Sequence, residues 1–371
     1  MKSELEFSTS QFGYADLYDN QNLPKLDTAF LTWLKEYDNV LADRFVAYRA
    51  GQAIERVAES ELLIETAQAL EEFIVALFGV QTAREQLRAD QAGDEPIYAF
   101  RDYLKGVAKR KRATPARAFE TIEAELLPQL ASGIELELAL AQFWQTQAQA
   151  QNSAALSLLD EWAWSAANSE AGRARTQGWL SFKFARKLDY HKLVEVRPLD
   201  DGAQRVAGAD ATLRRRDGFA LTDTRGSLRE AMAEVHYCVY CHRNDGDYCS
   251  KGFPAKEGKG FKINPLGVEL TGCPLGEKIS EAHTLKRDNA TLAALAIIMI
   301  DNPLLPLTGH RICNDCMKSC IYQKQDPVDI PKVETRILSD VLNLPWGFEI
   351  SFLLTRWNPP NRRHPFGAPY H

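Results

Sequence analysis

The stretch Val235–Gly252 reads VHYCVYCHRNDGDYCSKG and contains Cys238, Cys241 and Cys249. All seven cysteines of the chain lie between residues 238 and 320, and residues 1–237 contain none. A disulfide scaffold is expected in a small secreted chain with an even cysteine count, whereas one dense cysteine cluster in a longer chain is typical of metal binding. The pattern therefore predicts a metal-binding module that begins near Cys238.

The remaining four cysteines complete the module. Cys273 precedes a proline, and Thr308–Gln323 reads TGHRICNDCMKSCIYQ with Cys313, Cys316 and Cys320. Thiolates are the natural ligands of iron–sulfur clusters, and closely spaced cysteines can bind different irons of one cubane. Each cubane takes four protein ligands. Seven cysteines therefore suit two clusters if one further side chain acts as a ligand.

The same spacing also fits a zinc ribbon. Cys238, Cys241, Cys313 and Cys316 form two CxxC pairs, and four thiolates suffice for a tetrahedral structural zinc site. This alternative leaves the other three cysteines without a role, although free thiols are costly to keep exposed and reactive. Spacing alone favours iron–sulfur clusters over zinc and leaves both interpretations open.

Composition and charge are those of an ordinary globular protein. The 371 residues allow two or three domains, and 45% hydrophobic with 25% charged residues argues against disorder. The net charge of −6 gives no electrostatic footprint for nucleic acid. The basic runs at 109–112 and 214–216 lack aromatic residues spaced to stack bases, so we interpret them as solvated surface.

The N-terminal sequence shows no secretory signal. MKSELEFSTSQFGYADLYDN has no apolar core followed by a small-residue cleavage site. The longest strongly apolar run, Leu292–Ile300, is far shorter than the roughly 20 residues that span a bilayer. We expect a cytoplasmic protein without membrane insertion.

The part before the cysteines has helical patterns. Apolar residues in Glu59–Val80 recur at intervals of three and four, which predicts an amphipathic helix. Thr114 followed by Pro115 is typical of a helix N-terminus, and Ile134–Trp164 predicts a further helix. The segment 193–206 predicts a short hairpin. The seven tryptophans are predicted to be core residues.

We predict a mainly α fold with three parts. Residues 1–225 are expected to form a helical domain of unknown role, and residues 226–345 an α-helical domain with two iron–sulfur clusters. Residues 346–371 end in RWNPPNRRHPFGAPYH, a Pro- and Arg-rich sequence typical of a linker-like tail.

Five ordered segments connect the cysteines and continue beyond them. They are GCPLGEKISEAHTL from Gly272, a helix that ends at Asp301-Asn302-Pro303, TGHRIC, CMKSC, and DPVDIPKVE from Asp326. In this order they resemble the N-terminal double 4Fe-4S cluster domain shared by the small subunit of bacterial glutamate synthase and dihydropyrimidine dehydrogenase. The continuation through LPWGFEISFLLTRWNP resembles the start of large bacterial FAD-dependent pyridine nucleotide-disulfide oxidoreductases that begin with this module.

The resemblance implies a set of ligands for each cluster. The first set is Cys238, Cys241, Cys249 and Cys320, and the second set is Cys273, Cys313, Cys316 and Glu334. Glu334 takes the eighth position, where the family has glutamate or glutamine. The chain departs from the family by the insert 251–270, which is rich in glycine and lysine. His236, His242 and His310 stand beside the ligands, and we expect them to support the site without binding metal.

The resemblance also implies a function. In that family the clusters pass single electrons between a flavin and a distant redox site. The chain shows no GxGxxG motif at the start of a strand-turn-helix unit, so FAD and NAD(P)H are expected in a flavoprotein partner or a downstream domain. We therefore expect the iron–sulfur part of an oxidoreductase, with no catalytic residue of its own. The alternative is a helical interaction protein with the structural zinc ribbon described above.

Overall fold

A computed structural model of the chain describes most of its residues. They are 12–110, 117–185, 187–194, 196–199, 202, 205–208, 218–219, 226–256, 260–308 and 313–362. Helices make up most of this part of the chain, and its strands form one two-stranded sheet. The predicted mainly α fold class is therefore confirmed.

The helices fall into an N-terminal and a C-terminal group. The first group comprises α1 (Leu23–Tyr37), α2 (Asn39–Arg49), α3 (Arg56–Phe78), α4 (Gln81–Ala92), α5 (Glu95–Ala108), α6 (Phe119–Leu126), α7 (Leu136–Gln149), α8 (Ser153–Asn168) and α9 (Glu170–Arg175). The second comprises α10 (Leu228–Tyr237), α11 (Tyr248–Lys251), α12 (Ile279–Arg287), α13 (Thr291–Asp301), α14 (Leu305–Thr308), α15 (Asp315–Lys318), α16 (Ile330–Leu342) and α17 (Gly347–Arg356).

The predicted hairpin and the predicted helix at Glu59–Val80 are confirmed. Strand β1 (Val196–Pro198) pairs antiparallel with β2 (Val206–Gly208), and α3 covers the predicted helix. The predicted helix start at Thr114 and Pro115 lies outside the described residues.

The chain divides into two compact units, and this division differs from the predicted boundary at residue 225. The described residues of Met1–Glu85 and Arg186–His371 form the first unit, and those of Gln86–Ala185 form the second. The first helices thus belong with the cysteine-bearing half of the chain. They do so because α3 packs its apolar side chains against α12 and α13.

The second unit has a core of its own. Trp162 on α8 is 1% exposed, and its ring lies 6.1 Å from that of Phe119 and 6.0 Å from that of Phe182. Apolar residues of α5, α6, α7 and α8 complete this core. Trp162 therefore has the core role that was predicted for the tryptophans.

The predicted helix over Ile134–Trp164 is in fact two helices, α7 and α8. The chain turns at Gln151, whose φ is 52°, and the Asn152 side chain then accepts a hydrogen bond from the Ala155 amide. Asparagine is a favoured N-cap residue because its side chain satisfies a free amide of the first helical turn. Apolar spacing continues on both sides of this turn, so periodicity alone did not reveal the break.

Helix α13 lies at the centre of the first unit. Residues Thr291–Met299 are all buried, and α3, α12, α16 and α17 pack around them. A helix that is apolar on every side needs a complete shell of neighbours. In the part of the chain that the structure describes, no single helix is long and apolar enough to cross a membrane. Helices α16 and α17 meet that criterion only as a pair, which is bent by 117°.

Two buried hydrogen bonds join α3 to the cysteine-bearing half. Ser60 donates to Oε1 of Glu281 on α12 at 2.6 Å, and the Ala293 amide donates to Oε2 of Glu71 at 3.0 Å. Ala293 lies in the first turn of α13, where amides have no partner within the helix. Glu71 therefore caps α13 from a distant part of the chain, at the helix end where acidic side chains are favoured.

The beginning of the predicted linker-like tail is a helix. Helix α17 covers Gly347–Arg356, and its inward face is buried. Trp357 directly after it is 0% exposed, and its indole N–H donates to Asp27 of α1 at 3.1 Å. The prolines and arginines that indicated a linker lie mostly beyond Trp357, and the apolar spacing before them determines the structure.

A buried ion pair fixes α12 against α16. Lys286 on α12 is 0% exposed, and its Nζ donates to Asp340 of α16 at 2.7 Å and to Thr291 at 3.0 Å. Nε of Arg336 lies 2.6 Å from the other oxygen of Asp340. Burial lowers the pKa of Lys286, and the charge of Asp340 opposes this shift. Asp340 is therefore the shared counterion of Lys286 and Arg336.

We expect Asp340→Asn to destabilise the first unit strongly. The substitution nearly keeps the shape of the side chain but leaves Lys286 without its counterion, which costs about 3–5 kcal/mol. Glu65→Gln is the matched control, because Glu65 also binds its partner Arg44 at 2.7 Å but in a largely exposed pair. Exposed pairs contribute less than about 1 kcal/mol. Urea unfolding followed by circular dichroism measures both variants, and equal losses would contradict this role of the buried pair.

Candidate functional site

The first set of cysteines faces a single pocket. All four of its thiols belong to the lining, namely Cys238, Cys241, Cys249 and Cys320. Helix α12 contributes Ser280 and His283 to the same pocket. Three of the cysteines come from one segment, and the fourth returns from beyond α15. The fold therefore brings Cys320 to three cysteines that lie more than 70 residues before it in the sequence.

Helix α10 and the turn after it position the first cysteines. Ser227 and Glu230 form a capping box at the start of α10, and the helix ends immediately before Cys238. Tyr240 then has left-handed backbone with φ 51°, and Cys241 starts a short 3₁₀ turn. Left-handed backbone is uncommon for residues other than glycine and often occurs at functional sites.

Burial and nearby backbone amides shift the pKa values of these thiols in opposite directions. Burial raises the pKa of Cys238 to about 12 and that of Cys241 to about 11. The Tyr240 amide lies 3.5 Å from Sγ of Cys238 and lowers the pKa of this thiol. The Val328 amide acts in the same way on Cys320, whose pKa burial raises. Amides directed at sulfur stabilise the thiolate, and cluster sulfurs are also tuned by such hydrogen bonds.

The second set gathers around Glu334 on α16. Cys316 is buried, which is the main reason for its raised pKa, and the charges of Glu334, Cys273 and Cys313 raise that pKa further. Burial raises the pKa of Cys273 to about 11. Cys313 is the exposed member of the set. The four predicted residues thus share one neighbourhood, and Cys313 lies on its solvent side.

Glu277 belongs to the same neighbourhood, although the sequence did not single it out. Its side chain is buried, and its carboxyl group is hydrogen-bonded to the carboxyl of Glu334 and to Asn302. Burial raises the pKa of both carboxyl groups, and the negative charge of Glu277 raises that of Glu334 further. The one sequence signal for Glu277 is its position in the turn after Cys273.

The two sets are neighbours along the backbone. The Cys273 amide donates to the Cys249 carbonyl at 2.9 Å, and the Gly272 amide donates to Oγ of Ser319 at 2.9 Å. Gly272 has a φ of +80°, and a Cβ atom there would lie 2.4 Å from the Gly252 nitrogen. The segments that carry the two sets therefore meet at a point where only glycine fits.

Neither set has the geometry of a site for one metal ion. Within the described ranges, no group of three or more His, Cys, Asp and Glu side chains is arranged to hold an ion. In a zinc site all ligands bind the same ion, whereas in a cubane each thiolate binds a different iron. The zinc ribbon of Cys238, Cys241, Cys313 and Cys316 is also divided, since the first two line the pocket and the last two lie near Glu334.

Two buried histidines flank the first set. Nδ1 of His242 lies 2.6 Å from Oγ of Ser280, and burial lowers the pKa of His242 to about 4. Burial also lowers the pKa of His283 to about 4, but neither nitrogen of its ring has a hydrogen-bond partner among the described residues. His283 lies within α12 and carries no spacing signal in the sequence. Of the other predicted histidines, His236 is half-buried at the end of α10 and His310 lies outside the described residues.

Comparisons with known proteins match the chain to uncharacterised relatives. Residues 7–79 match the family described as RP005 N-terminal alpha-helical domain. Uncharacterized protein RP006 of Rickettsia prowazekii (strain Madrid E) is 66% identical over 58 residues, which are 16% of this chain and 8% of that protein. Uncharacterized protein RP005 of the same organism is 26% identical over 290 residues, which are 72% of this chain and 94% of that protein. No solved structure matches the chain.

The predicted resemblance to the double-cluster domain of glutamate synthase and dihydropyrimidine dehydrogenase is wrong. The family that matches is an α-helical domain over α1–α3, and the matched relatives are uncharacterised. The described residues also form no group arranged to hold a metal ion. Short motifs around cysteines are insufficient for a family assignment because turn chemistry alone favours glycine and proline there.

We expect Gly272→Ala to destabilise the first unit more than Gly267→Ala. Both glycines have a left-handed φ, +80° and +78°, so each substitution incurs a similar backbone cost of about 1–2 kcal/mol. A Cβ at Gly267 meets nothing within 4 Å, whereas one at Gly272 overlaps the backbone of Ser250 and Gly252. This overlap costs about 1–3 kcal/mol more. Unfolding in urea measures the difference, and equal stability of the two variants would show that the close approach is not required.

Proposed function

We propose that the chain binds two iron–sulfur clusters, one at each set, and passes single electrons as part of an oxidoreductase. The observation that carries the proposal is the pocket whose lining includes all four thiols of the first set. A 4Fe-4S cluster takes one thiolate per iron. The first set therefore has the number of thiols that one such cluster needs.

The chemistry of the donors supports a cluster at the first set. Its cysteines are free thiols, and three of the four are buried. Burial raises their pKa values, so a bound cation is needed to hold them as thiolates, and binding would release their protons. Amides such as that of Tyr240 already point at sulfur. These groups suit a charged sulfur-rich cofactor better than an empty core.

The size of the pocket adds a requirement. It contains about 20 Å³ of free space, close to the volume of one water-sized sphere. A cluster is larger, so its binding requires the walls of this pocket to move apart. Helix α12 is held by the Lys286–Asp340 pair, and the turn around Tyr240 is joined to α12 by Arg287 over the Tyr240 ring and by the contact of His242 with Ser280.

The second set supports a cluster with one carboxylate ligand. Three thiols and Glu334 make four donors, and carboxylates are established ligands of iron in proteins. Glu334 must lose its proton to bind a metal, and Glu277 is placed to accept a hydrogen bond or hold the carboxyl in position. Through this hydrogen bond Glu277 would orient the Glu334 carboxylate toward the metal.

The surface at the first set is suited to electron exchange with another protein. Val239 and Ile321 are 40% and 44% exposed, each directly follows a cysteine of the first set, and both line its pocket. A partner protein that contacts Val239 or Ile321 would therefore be one residue away from a cysteine of the first set. When bound, the clusters would supply reversible one-electron chemistry, while the protein holds the thiolates, directs amides at sulfur and excludes water.

We propose a flavoprotein domain or subunit as this partner. A flavin links the two-electron hydride of NAD(P)H to one-electron carriers, and clusters are such carriers. The strands in the described ranges form one two-stranded sheet, which is not a dinucleotide-binding fold. FAD and NAD(P)H are therefore assigned to the partner.

The metal content of the intact chain tests the proposal. Protein purified without oxygen should be brown, contain about eight irons and about eight acid-labile sulfides per chain, and lose visible absorbance with dithionite. Inductively coupled plasma spectrometry and a sulfide assay give the stoichiometry. A colourless protein with stoichiometric zinc, or with no metal after reconstitution with iron and sulfide, would overturn it.

Substitutions should separate the two sets. We expect Cys320→Ala to remove about half of the iron and Glu334→Ala to alter the other half, because each changes one of four ligands of a single cluster. Glu334→Cys restores a donor and should recover the second cluster. Ser339→Ala is the control on α16, since the Ser339 hydroxyl donates to the Thr335 carbonyl of its own helix at 2.7 Å. Iron analysis and electron paramagnetic resonance (EPR) of reduced protein distinguish these outcomes, and identical spectra for Glu334→Ala and wild type would refute the assignment of Glu334.

A further inference from the structure

His283 is an unusual residue in the wall of the first-set pocket. It is 1% exposed, it lies on α12, and it lines the pocket together with the four cysteines. Both nitrogens of its ring are buried and have no hydrogen-bond partner in the part of the chain that the structure describes. A buried polar group that makes no hydrogen bond costs about 1–3 kcal/mol. Such a group is expected to have a partner in the functional state of the protein.

His242 also lies beside the first set, but its ring has a hydrogen-bond partner. Its Nδ1 lies 2.6 Å from Oγ of Ser280, which is one turn before His283 on α12. No comparable hydroxyl, carbonyl or carboxyl group within the described residues binds His283. The pocket that His283 lines is otherwise formed by thiols, apolar side chains, Tyr322 and Ser280, and the Ser280 hydroxyl already pairs with His242. Sulfur is therefore the acceptor that its position offers.

Resting on the proposed function, we infer that His283 donates a ring N–H hydrogen bond to a sulfur of the first cluster and raises the reduction potential of that cluster. A neutral imidazole carries one N–H donor. The four irons already have four thiolate ligands, so the histidine is a hydrogen-bond donor and not a ligand. Reduction adds one electron to the cluster, and a donor directed at sulfur stabilises the more negative, reduced form.

The expected effect is a change in the reduction equilibrium of one cluster. Hydrogen bonds to charged groups are among the stronger ones in proteins. We expect His283→Leu to lower the equilibrium constant for reduction of the first cluster about tenfold, which is a fall of about 59 mV for one electron. The inference places His283 at the first cluster, so the reduction potential of the second cluster should not change and serves as the internal reference.

A redox titration followed by EPR tests the inference on the anaerobically purified full chain. His283→Gln and His283→Asn each retain an amide N–H near one ring nitrogen, and one of them should recover most of the potential. Thr284→Val is the matched control, because it removes the neighbouring buried donor on α12, whose hydroxyl bonds the Ser280 carbonyl. The control should leave both potentials unchanged.

The outcomes separate this inference from the proposed function. Wild-type protein without iron and sulfide would refute the proposed function itself. Full clusters with the same first potential in wild type and in His283→Leu would refute the role of His283 alone. If the leucine variant does not fold, nitrogen-15 labelling of histidine in the wild type still decides the question. A weak nitrogen coupling to the reduced cluster supports the hydrogen bond, whereas a strong coupling, typical of a ligand, or no coupling overturns it.

Discussion

The structure of the first unit depends on the burial of α13. Its sequence TLAALAIIMID has no polar face, so protein must cover every side of it. Five large side chains are at most 2% exposed, and their burial contributes on the order of 10 kcal/mol, which is comparable with the whole stability of a domain. They are Leu292, Leu295, Ile297, Ile298 and Met299. Helix α3 supplies one side of the cover, which explains why the N-terminal helices and the cysteines belong to one unit.

Helix α12 connects this core to the candidate site. One side of α12 carries Lys286 in its pair with Asp340, and another carries His283 at the cysteine pocket. Helix α16 has the same double role, because it holds both Asp340 and Glu334. The buried ion pair therefore fixes the two helices that supply non-cysteine groups to the sites. Stability and site geometry depend on the same contact between helices.

Local patterns in the sequence predicted local structure well. The intervals in Glu59–Val80 predicted α3 because one helix needs only its own apolar face to be recognised. Cysteine clustering likewise predicted that the candidate site begins near Cys238, whereas the division into two sets and the choice of Glu334 came only from the family resemblance. Periodicity did not reveal the turn at Gln151, because the Asn152 cap interrupts the helix without interrupting the apolar pattern. The helix α17 was missed because the prolines after it dominated the composition.

Features that depend on distant contacts left no signal in the sequence. The hydrogen bond from Ser60 to Glu281 joins residues 221 positions apart, so the division into units was not predictable from composition. Glu277 lies in a turn and His283 in a helix, and only the folded structure shows that both lie near cysteine thiols. The motif resemblance was misleading for a related reason. Glycine and proline around cysteines are required by turns such as the one at Gly272, and they recur wherever the backbone makes such turns.

The separation in sequence between α3 and α13 has a consequence during protein synthesis. The Glu71–Ala293 contact joins residues 222 positions apart, and the whole second unit is made between them. At about 5–20 residues per second, α3 waits roughly 10–40 s for the helix that it covers. During that time the side of α3 that packs against α12 and α13 has no native partner, although α1 and α2 can already pack against the helix, whereas the second unit can already complete its local core. The nascent chain is therefore most vulnerable to aggregation through its first helices, and a chaperone that binds apolar segments would find its target there.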